Sequence, residues 1–362
     1  MNLHRVLAAL AVTLTLAAPL TSHAFPDMVR HGYIHCATCH LSPTGGGTMS
    51  EYGRALSQEV LSSAGSEKEN QPLWGAVNPP KWLQIGGDER AFYYANGTPA
   101  GTTTKLFIMQ ADAELAAVSE HFNAVVRGGI YYPGNFESRV HYLQWHPDDH
   151  WGIRAGRFMR AYGIQFPEHP LATRVDLGFD QGMETYNLEA TYASESWEIT
   201  GSGVFGNFGG PGRNNEKGFV LKYLRQIGDE PISIGASYEL VSSPDGGNKK
   251  VLGPFATVSF GPKVCWLLDS GVVFYDPDKK GLVTTQKLDW EPTQGLHLFG
   301  THEYSRPDFH VSNTARTDWG LGAQWFPRPH LDFLATYRLE NLDALYKDTW
   351  TSTVWILGHI YL

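Results

Sequence analysis

Basic residues are scarce in this chain of 362 residues: 28 Lys and Arg stand against 37 Asp and Glu, for a net charge of −9. A nucleic-acid partner, which needs a basic surface to neutralise phosphates, is excluded on that balance. Charge of either sign is sparse as well, at 18% against 42% hydrophobic residues, so the chain is not a disordered polyelectrolyte. No apolar run long enough for a transmembrane helix occurs after the first two dozen residues. Cysteine is almost missing, with Cys36, Cys39 and Cys265 as the full set, which leaves no framework of structural disulfides. Glycine and aromatics are plentiful, with 39 glycines and 13% Phe, Trp and Tyr.

The first segment carries Arg5, an apolar stretch from Val6 to Leu20, and the small-x-small sequence Ser22-His23-Ala24. These are the parts of an export signal, so residues 1–24 are expected to be removed and the mature chain to start near Phe25. About a dozen residues later stands Cys36-Ala37-Thr38-Cys39-His40. C-x-x-C-H is the spacing that attaches a c-type haem: two thiols one helical turn apart add to the two vinyl groups of one porphyrin, and the next residue presents imidazole to the iron. Cys36 and Cys39 are the expected tethers of one covalent haem c, and His40 its proximal ligand. A zinc site would want two more soft ligands, and Cys265 is remote; a thioredoxin-like pair would want a βαβ setting, which Pro43-Thr44-Gly45-Gly46-Gly47 does not provide. For the distal position His31 is favoured and Met49 is second, while His35 adjoins Cys36 too closely and Met28 is a further neighbour. Arg54 is a candidate partner for a haem propionate.

Residues 25–65 read as a small helical haem domain. Ser50 is placed to cap a helix over residues 51–62, with Tyr52, Ala55, Leu56 and Val60 on one stripe and Gly65 as its stop. Residues 66–81, with Pro72, Pro79 and Pro80, read as a linker. So few residues bury a porphyrin poorly by themselves, and the domain is expected to dock in the mouth or lumen of a barrel formed by the remainder of the chain.

From Trp82 to Leu362 the pattern is period two. Ile232, Ile234, Ala236, Tyr238 and Leu240 alternate with Ser233, Gly235, Ser237 and Glu239, and the pattern recurs over residues 186–192, 318–325 and 331–339. Sixteen strands are predicted, beginning near residues 82, 102, 121, 137, 150, 183, 195, 216, 231, 250, 264, 281, 294, 315, 328 and 348. Short turns, such as those at 119–120, 194–196 and 327–329, alternate with long connections at 161–182, 207–216, 242–250, 305–313 and 341–348. A soluble sandwich has no reason to sort its loops by parity, whereas a transmembrane antiparallel β-barrel does. The fold class is thus all-β, an outer-membrane barrel of about sixteen strands closing on the segment from Trp350 to Leu362, with both termini expected in the periplasm. Tyr131, Tyr132, Trp145, Trp151, Trp325 and Trp355 fall near strand ends, where an aromatic girdle belongs.

The order of signal, single C-x-x-C-H, short linker and sixteen-strand barrel resembles the fused monohaem cytochrome–porins of the bacterial outer membrane, known from iron-oxidising bacteria. The local run Cys36-Ala37-x-Cys39-His40, then Pro43, then Tyr52-Gly53-Arg54 is similar to theirs, though this chain is shorter and adds Gly45-Gly46-Gly47. The resemblance implies electron transfer across the outer membrane between an extracellular donor, iron among them, and periplasmic cytochromes or other redox carriers. A haem held at the periplasmic surface would be cut off from an impermeant outside donor by roughly 25 to 30 Å of hydrocarbon. Two other functions are compatible with the residues: a diffusion porin with a haem sensor or plug, and a haem enzyme acting on a small ligand, although no separate catalytic constellation is visible. Among weaker features, His146-Pro147-Asp148-Asp149-His150 is expected to be a solvated hairpin, the 161–182 loop to fold into the pore or receive cations, and Cys265 to be a small apolar filler.

Overall fold

A computed structural model describes residues 26–208, 215–228, 231–242, 247–275, 278–342 and 349–362. Residues 1–24, the expected export signal, lie outside them. Sixteen antiparallel strands, β1 (Leu83–Thr98) through β16 (Trp350–Tyr361), pair each with its neighbour and close into a barrel when β1 meets β16. In that seam Asp88 stands opposite Tyr361 and Gly97 opposite Ser352. Every predicted strand start falls within three residues of the observed one.

The alternation is inside-out relative to a soluble sheet. Ser233, Ser237 and Glu239 are buried in the lumen, while Ile234 faces outward at 48% exposure. Asn187, Glu189 and Thr191 point inward with Leu188 outside, and Asp332, Thr336 and Arg338 point inward with Phe333, Tyr337 and Leu339 outside. A hydrocarbon surround explains this arrangement, because charged residues on the outer face would be desolvated without partners whereas in the lumen they pair. Arg154 meets Glu189 at 2.7 Å, Arg160 meets Glu239 at 2.6 Å, and Arg338 holds Glu303 and Asp318.

The aromatic girdle is only partly where expected. Tyr132, Trp145, Trp151 and Trp325 are outward, but Tyr131 and Trp355 turn inward, Tyr131 donating to Asp112 and Trp355 lying beneath the Arg338 guanidinium at 4.2 Å. Tyr361, in the closing strand, also faces inward. Loop lengths sort by parity with exceptions: at the long-loop end, β1 joins β2 (Gly101–Val118) through two residues, and β3 (Phe122–Tyr131) joins β4 (Asn135–Trp145) through three.

Two segments enter the barrel. Residues 159–184, between β5 (Trp151–Phe158) and β6 (Thr185–Ala193), fold inward. Tyr162, Ala172, Leu177 and Phe179 pack on Val204, Val220, Val251, Val273 and Val283, an apolar strip on the lumen wall. The short helix α2 (Ala172–Val175) within this loop is tied to the far wall, its Ala172 amide donating to Glu303 and its Thr173 amide to Thr285 at 3.2 Å. Lys287 to Glu168 at 2.7 Å and Gln181 to Gln110 at 2.7 Å complete the staple.

The other segment is the N-terminal one, seated in the lumen from the short-turn end. Arg30 pairs with Asp289 at 2.6 Å, His35 with Glu198 at 3.2 Å, and the Thr48 amide donates to Glu114 at 2.7 Å. The barrel thus provides the walls that forty residues lack. The predicted helix has nearly its expected extent, residues 51–61, but is α-helical only in its first half. α1 covers Glu51–Leu56, with Ser50 accepting from the Gly53 amide at 3.0 Å, and the chain then widens into a π-turn over Ser57–Leu61. Its stripe is also corrected: Tyr52 is 42% exposed, and Gly53, Arg54 and Leu56 are the buried residues. The proposed linker is not free, since it forms turns at Glu67–Asn70 and Pro72–Gly75 and straps onto the barrel through Trp74 Nε1 to the Pro329 carbonyl at 3.1 Å.

Candidate functional site in the lumen

The C-x-x-C-H motif forms one tight turn. Cys36–Thr38 is 3₁₀-helical, and the amides of Cys39 and His40 both donate to the Cys36 carbonyl, at 3.2 and 3.1 Å. The chain then makes a hairpin: the Leu41 amide donates to the Thr48 carbonyl at 3.1 Å, and His40 stands opposite Met49 in an antiparallel bridge. Gly45, Gly46 and Gly47 at its tip all have φ between +70° and +81°, a left-handed run that side chains disfavour. Gly53 of α1 is pressed against the motif so closely that a Cβ there would strike the Cys39 carbonyl oxygen. That contact fixes helix and motif as one unit.

Three free cysteines are present among the described residues, Cys36, Cys39 and Cys265. Cys39 is fully buried among Met28, Tyr33, Met49 and Leu56. Burial pushes its thiol up to about 12 and raises that of Cys36 as well. This is the opposite of the acidic thiol that a thioredoxin-like redox pair employs. No group of three His, Cys, Asp or Glu side chains among the described residues is arranged to hold a bare metal ion.

His40 and Met49 line a luminal cavity of about 1320 Å³ of atom-free space, part of it open, walled by the glycine hairpin, the inward loop and strands from both sides of the seam. Cys36 borders an adjoining cavity of about 620 Å³, and Gly45 and Gly46 border both. Apolar residues such as Val140, Phe158 and Phe166 share the larger cavity with Arg90, Arg127, Arg154 and Arg174. A planar macrocycle with an apolar body and two carboxylates needs that combination of walls. His40 lines the larger cavity and Cys36 the adjoining one, with the Cys39 thiol packed in the core beside them; two thiols and one imidazole on a single turn are the donor set that a haem c would use.

The remaining site candidates fall elsewhere. His31 lies 3.8 Å from Glu291 and does not reach the His40 cavity. His35 is spent on Glu198 and on the Ser194 carbonyl at 2.9 Å. Arg54 is a structural clamp, donating to the carbonyls of Met49 at 2.8 Å and Asn70 at 3.0 Å and to Gln84, and it does not line the cavity. Its sequence neighbourhood misleads because the helix turns it toward the barrel wall; the arginines at the cavity come from strands and the inward loop. Asp148 caps a solvated hairpin by accepting from the amides of His150 and Trp151 at 2.9 Å, and Cys265 is a buried filler beside Val29 and Ile164.

Two histidines that sequence order does not associate with the motif also line the cavity, His169 from the inward loop and His359 from β16. His359 faces carboxylates on both nitrogens, Asp332 at 2.7 Å and Asp88 at 3.1 Å. His169 places Nδ1 on Asp180 at 2.8 Å, and its buried Nε2 has no hydrogen-bond partner among the described residues.

Compared with known proteins, the barrel is similar to outer-membrane porins. OmpT of Vibrio cholerae, folded in vitro and in trimer form, superposes with a TM-score of 0.60 at 10% identity, covering 77% of this chain and 99% of that one. An anion-selective porin from Comamonas acidovorans gives 0.56 at 10% identity over 77% and 99%, and the outer-membrane channel DcaP of Acinetobacter baumannii gives 0.54 at 10% over 77% and 97%. At such identities the likeness is one of fold. No family model matches the chain, and no curated protein matches it either.

Proposed function

We propose that this chain is an outer-membrane electron conduit of the cytochrome–porin kind, with one covalent haem c tethered by Cys36 and Cys39 and ligated by His40 inside the barrel. The observation that carries the reading is the seat of the C-x-x-C-H turn: it lies in the lumen, with His40 lining a partly open cavity, and not on a free domain at the rim. The haem, when bound, supplies reversible one-electron chemistry at its iron. The chain's own residues do the remainder. The glycine hairpin would leave room for the ring, the arginines at the cavity, each already paired with a carboxylate of the chain, would supply positive charge toward its carboxylates, and the inward loop would restrict water. Both termini are assigned to the periplasm, so that the short-turn end meets periplasmic cytochromes or other carriers and the long-loop end meets an extracellular metal or small redox donor or acceptor.

The test is a two-part measurement on protein exported with the host's haem-attachment machinery. An alkaline pyridine haemochrome spectrum reports covalent haem, and proteoliposomes loaded with an internal electron acceptor report transfer from an external donor. Covalent haem together with transmembrane reduction is expected. Haem that responds to reductant from one side only would refute the conduit, and a large open-pore conductance in planar bilayers would favour a porin whose haem segment is a sensor.

A further inference from the structure

We infer that His169, on the inward loop, is the distal axial ligand of the iron, so that the barrel itself completes a coordination that the N-terminal segment begins. The inference rests on the haem reading above. An axial pair must approach the iron from opposite faces of the ring. Met49 is the bridge partner of His40 in one antiparallel hairpin, and such partners send their side chains to the same face. His169 arrives from a different element, the loop that enters from the long-connection end, opposite to the end at which the motif segment enters, yet it lines the same cavity as His40.

Its chemistry is also that of a ligand. Nδ1 is held at 2.8 Å by the Asp180 carboxylate, which makes it the protonated nitrogen and leaves the lone pair on Nε2. Nε2 is buried and has no hydrogen-bond partner among the described residues. Arg174, 3.2 Å from the same Asp180 oxygen and anchored to the Phe166 carbonyl at 2.5 Å, fixes the carboxylate in turn. Carboxylate, histidine and metal in series is how proteins orient an imidazole ligand and raise its basicity. His359, another histidine at the cavity, has Nδ1 at 2.7 Å from the Asp332 carboxylate and Nε2 at 3.1 Å from the Asp88 carboxylate, so a metal would have to displace a negative partner from either nitrogen. His169 borders a second, outer cavity together with Gln181 and Tyr186, so the same ring sits between the His40 cavity and the long-loop side.

The experiment uses the full-length haem-loaded barrel in detergent, with haem content read by pyridine haemochrome and spin state by optical and electron paramagnetic resonance spectra. Wild type is expected to be six-coordinate and low-spin. H169A should retain its haem and become high-spin and five-coordinate, with added imidazole restoring the low-spin spectrum, while M49L stays low-spin. H169M should remain six-coordinate with a raised midpoint potential. If H169A does not fold, D180N decides: it keeps the ligand but weakens its basicity, so the potential should rise, and an unchanged potential overturns the assignment. A low-spin H169A, a high-spin M49L, or a five-coordinate wild type each overturns it while leaving covalent haem intact. Absence of haem from wild type would instead remove the functional reading on which the inference stands.

Discussion

Removing Arg30 should loosen the N-terminal segment that carries the C-x-x-C-H turn without opening the barrel. Its guanidinium lies 2.6 Å from Asp289, 3.4 Å from Glu291 and 3.1 Å from His297 Nδ1, with the Arg30 and Asp289 side chains each only 1% exposed. In R30A two carboxylates remain dry with His297 as their neighbour. Breaking one side of such a buried pair costs about 3–5 kcal/mol, because the orphaned charge keeps its desolvation penalty. That penalty applies only while the segment is docked, since undocking lets water reach Asp289 and Glu291. The docking equilibrium therefore absorbs the loss, and the strands, whose ladders Arg30 does not join, do not. Amide hydrogen exchange is the assay: the amides of Cys39 and His40, bonded to the Cys36 carbonyl, should exchange roughly 10² to 10⁴ times faster, at about 1.4 kcal/mol per decade. Strand amides should keep wild-type rates. Asp289→Asn placed on R30A should recover part of the protection, as it removes one orphaned charge. Wild-type exchange at Cys39 and His40 in R30A would refute the view that the lumen holds this segment electrostatically.

Particular contacts lead to three further outcomes. His330 is fully buried in the turn before β15 (Leu331–Leu342), against Trp74 and Tyr361, and burial with Arg54 nearby lowers its pKa to about 4. The unfolded histidine takes up its proton near 6.5, so the neutral folded form contributes fully above that pH and loses about 3 kcal/mol as pH falls from 6.5 to 4. H330N, which tolerates the left-handed φ of +65°, should flatten that part of the pH–stability curve measured by thermal unfolding. G53A should drive α1 off the Cys39 carbonyl at about 1–3 kcal/mol of overpacking and lower the yield of covalent haem per barrel by pyridine haemochrome; an unchanged yield would show that helix and motif are not a unit. Replacing residues 165–180 by a short Gly-Ser turn should raise single-channel conductance in planar bilayers, and conductance equal to wild type would exclude the inward loop as a barrier.

The barrel is legible in the sequence because its signal is local. A strand in hydrocarbon must alternate, residue by residue, between what lipid accepts and what the lumen accepts, so Ile234 beside Ser233, or Phe333 beside Asp332, states strand and face at once. The same residues do not tell inside from outside by apolar count alone; their partners do, since Glu239 and Arg338 are tolerable only where Arg160, Lys249, Glu303 and Asp318 meet them. The motif turn is legible for an equally local reason, since Cys36, Cys39 and His40 lie within one turn of backbone.

Sequence does not supply what is decided by closure. Proximity to His40 in the chain is what favours His31 and Met49 as distal ligands, and Arg54 as a propionate partner. Closing sixteen strands brings in residues remote in the chain: beside Met49, the cavity at His40 is lined by Arg127 and Arg154, each held by a carboxylate of another strand, and by His169, held by Asp180 of its own loop. The signal that is available lies in the loop. Residues 161–182 contain too many apolar side chains, Tyr162, Ile164, Phe166, Leu171, Leu177 and Phe179, for a segment that lives in water, and the inward strand positions Val204, Val220, Val251, Val273 and Val283 break the polar rule of a porin lumen. Those two violations answer each other, because an apolar loop and an apolar strip of lumen wall are both unfavourable until they meet. The same meeting brings His169 to the cavity that His40 lines, with Asp180 holding it there. In this fold, then, the loop's hydrophobic residues set the position of its polar ones, and a change such as Phe179→Ser, which touches no candidate ligand, should disturb the cavity at His40 as surely as a change at His169.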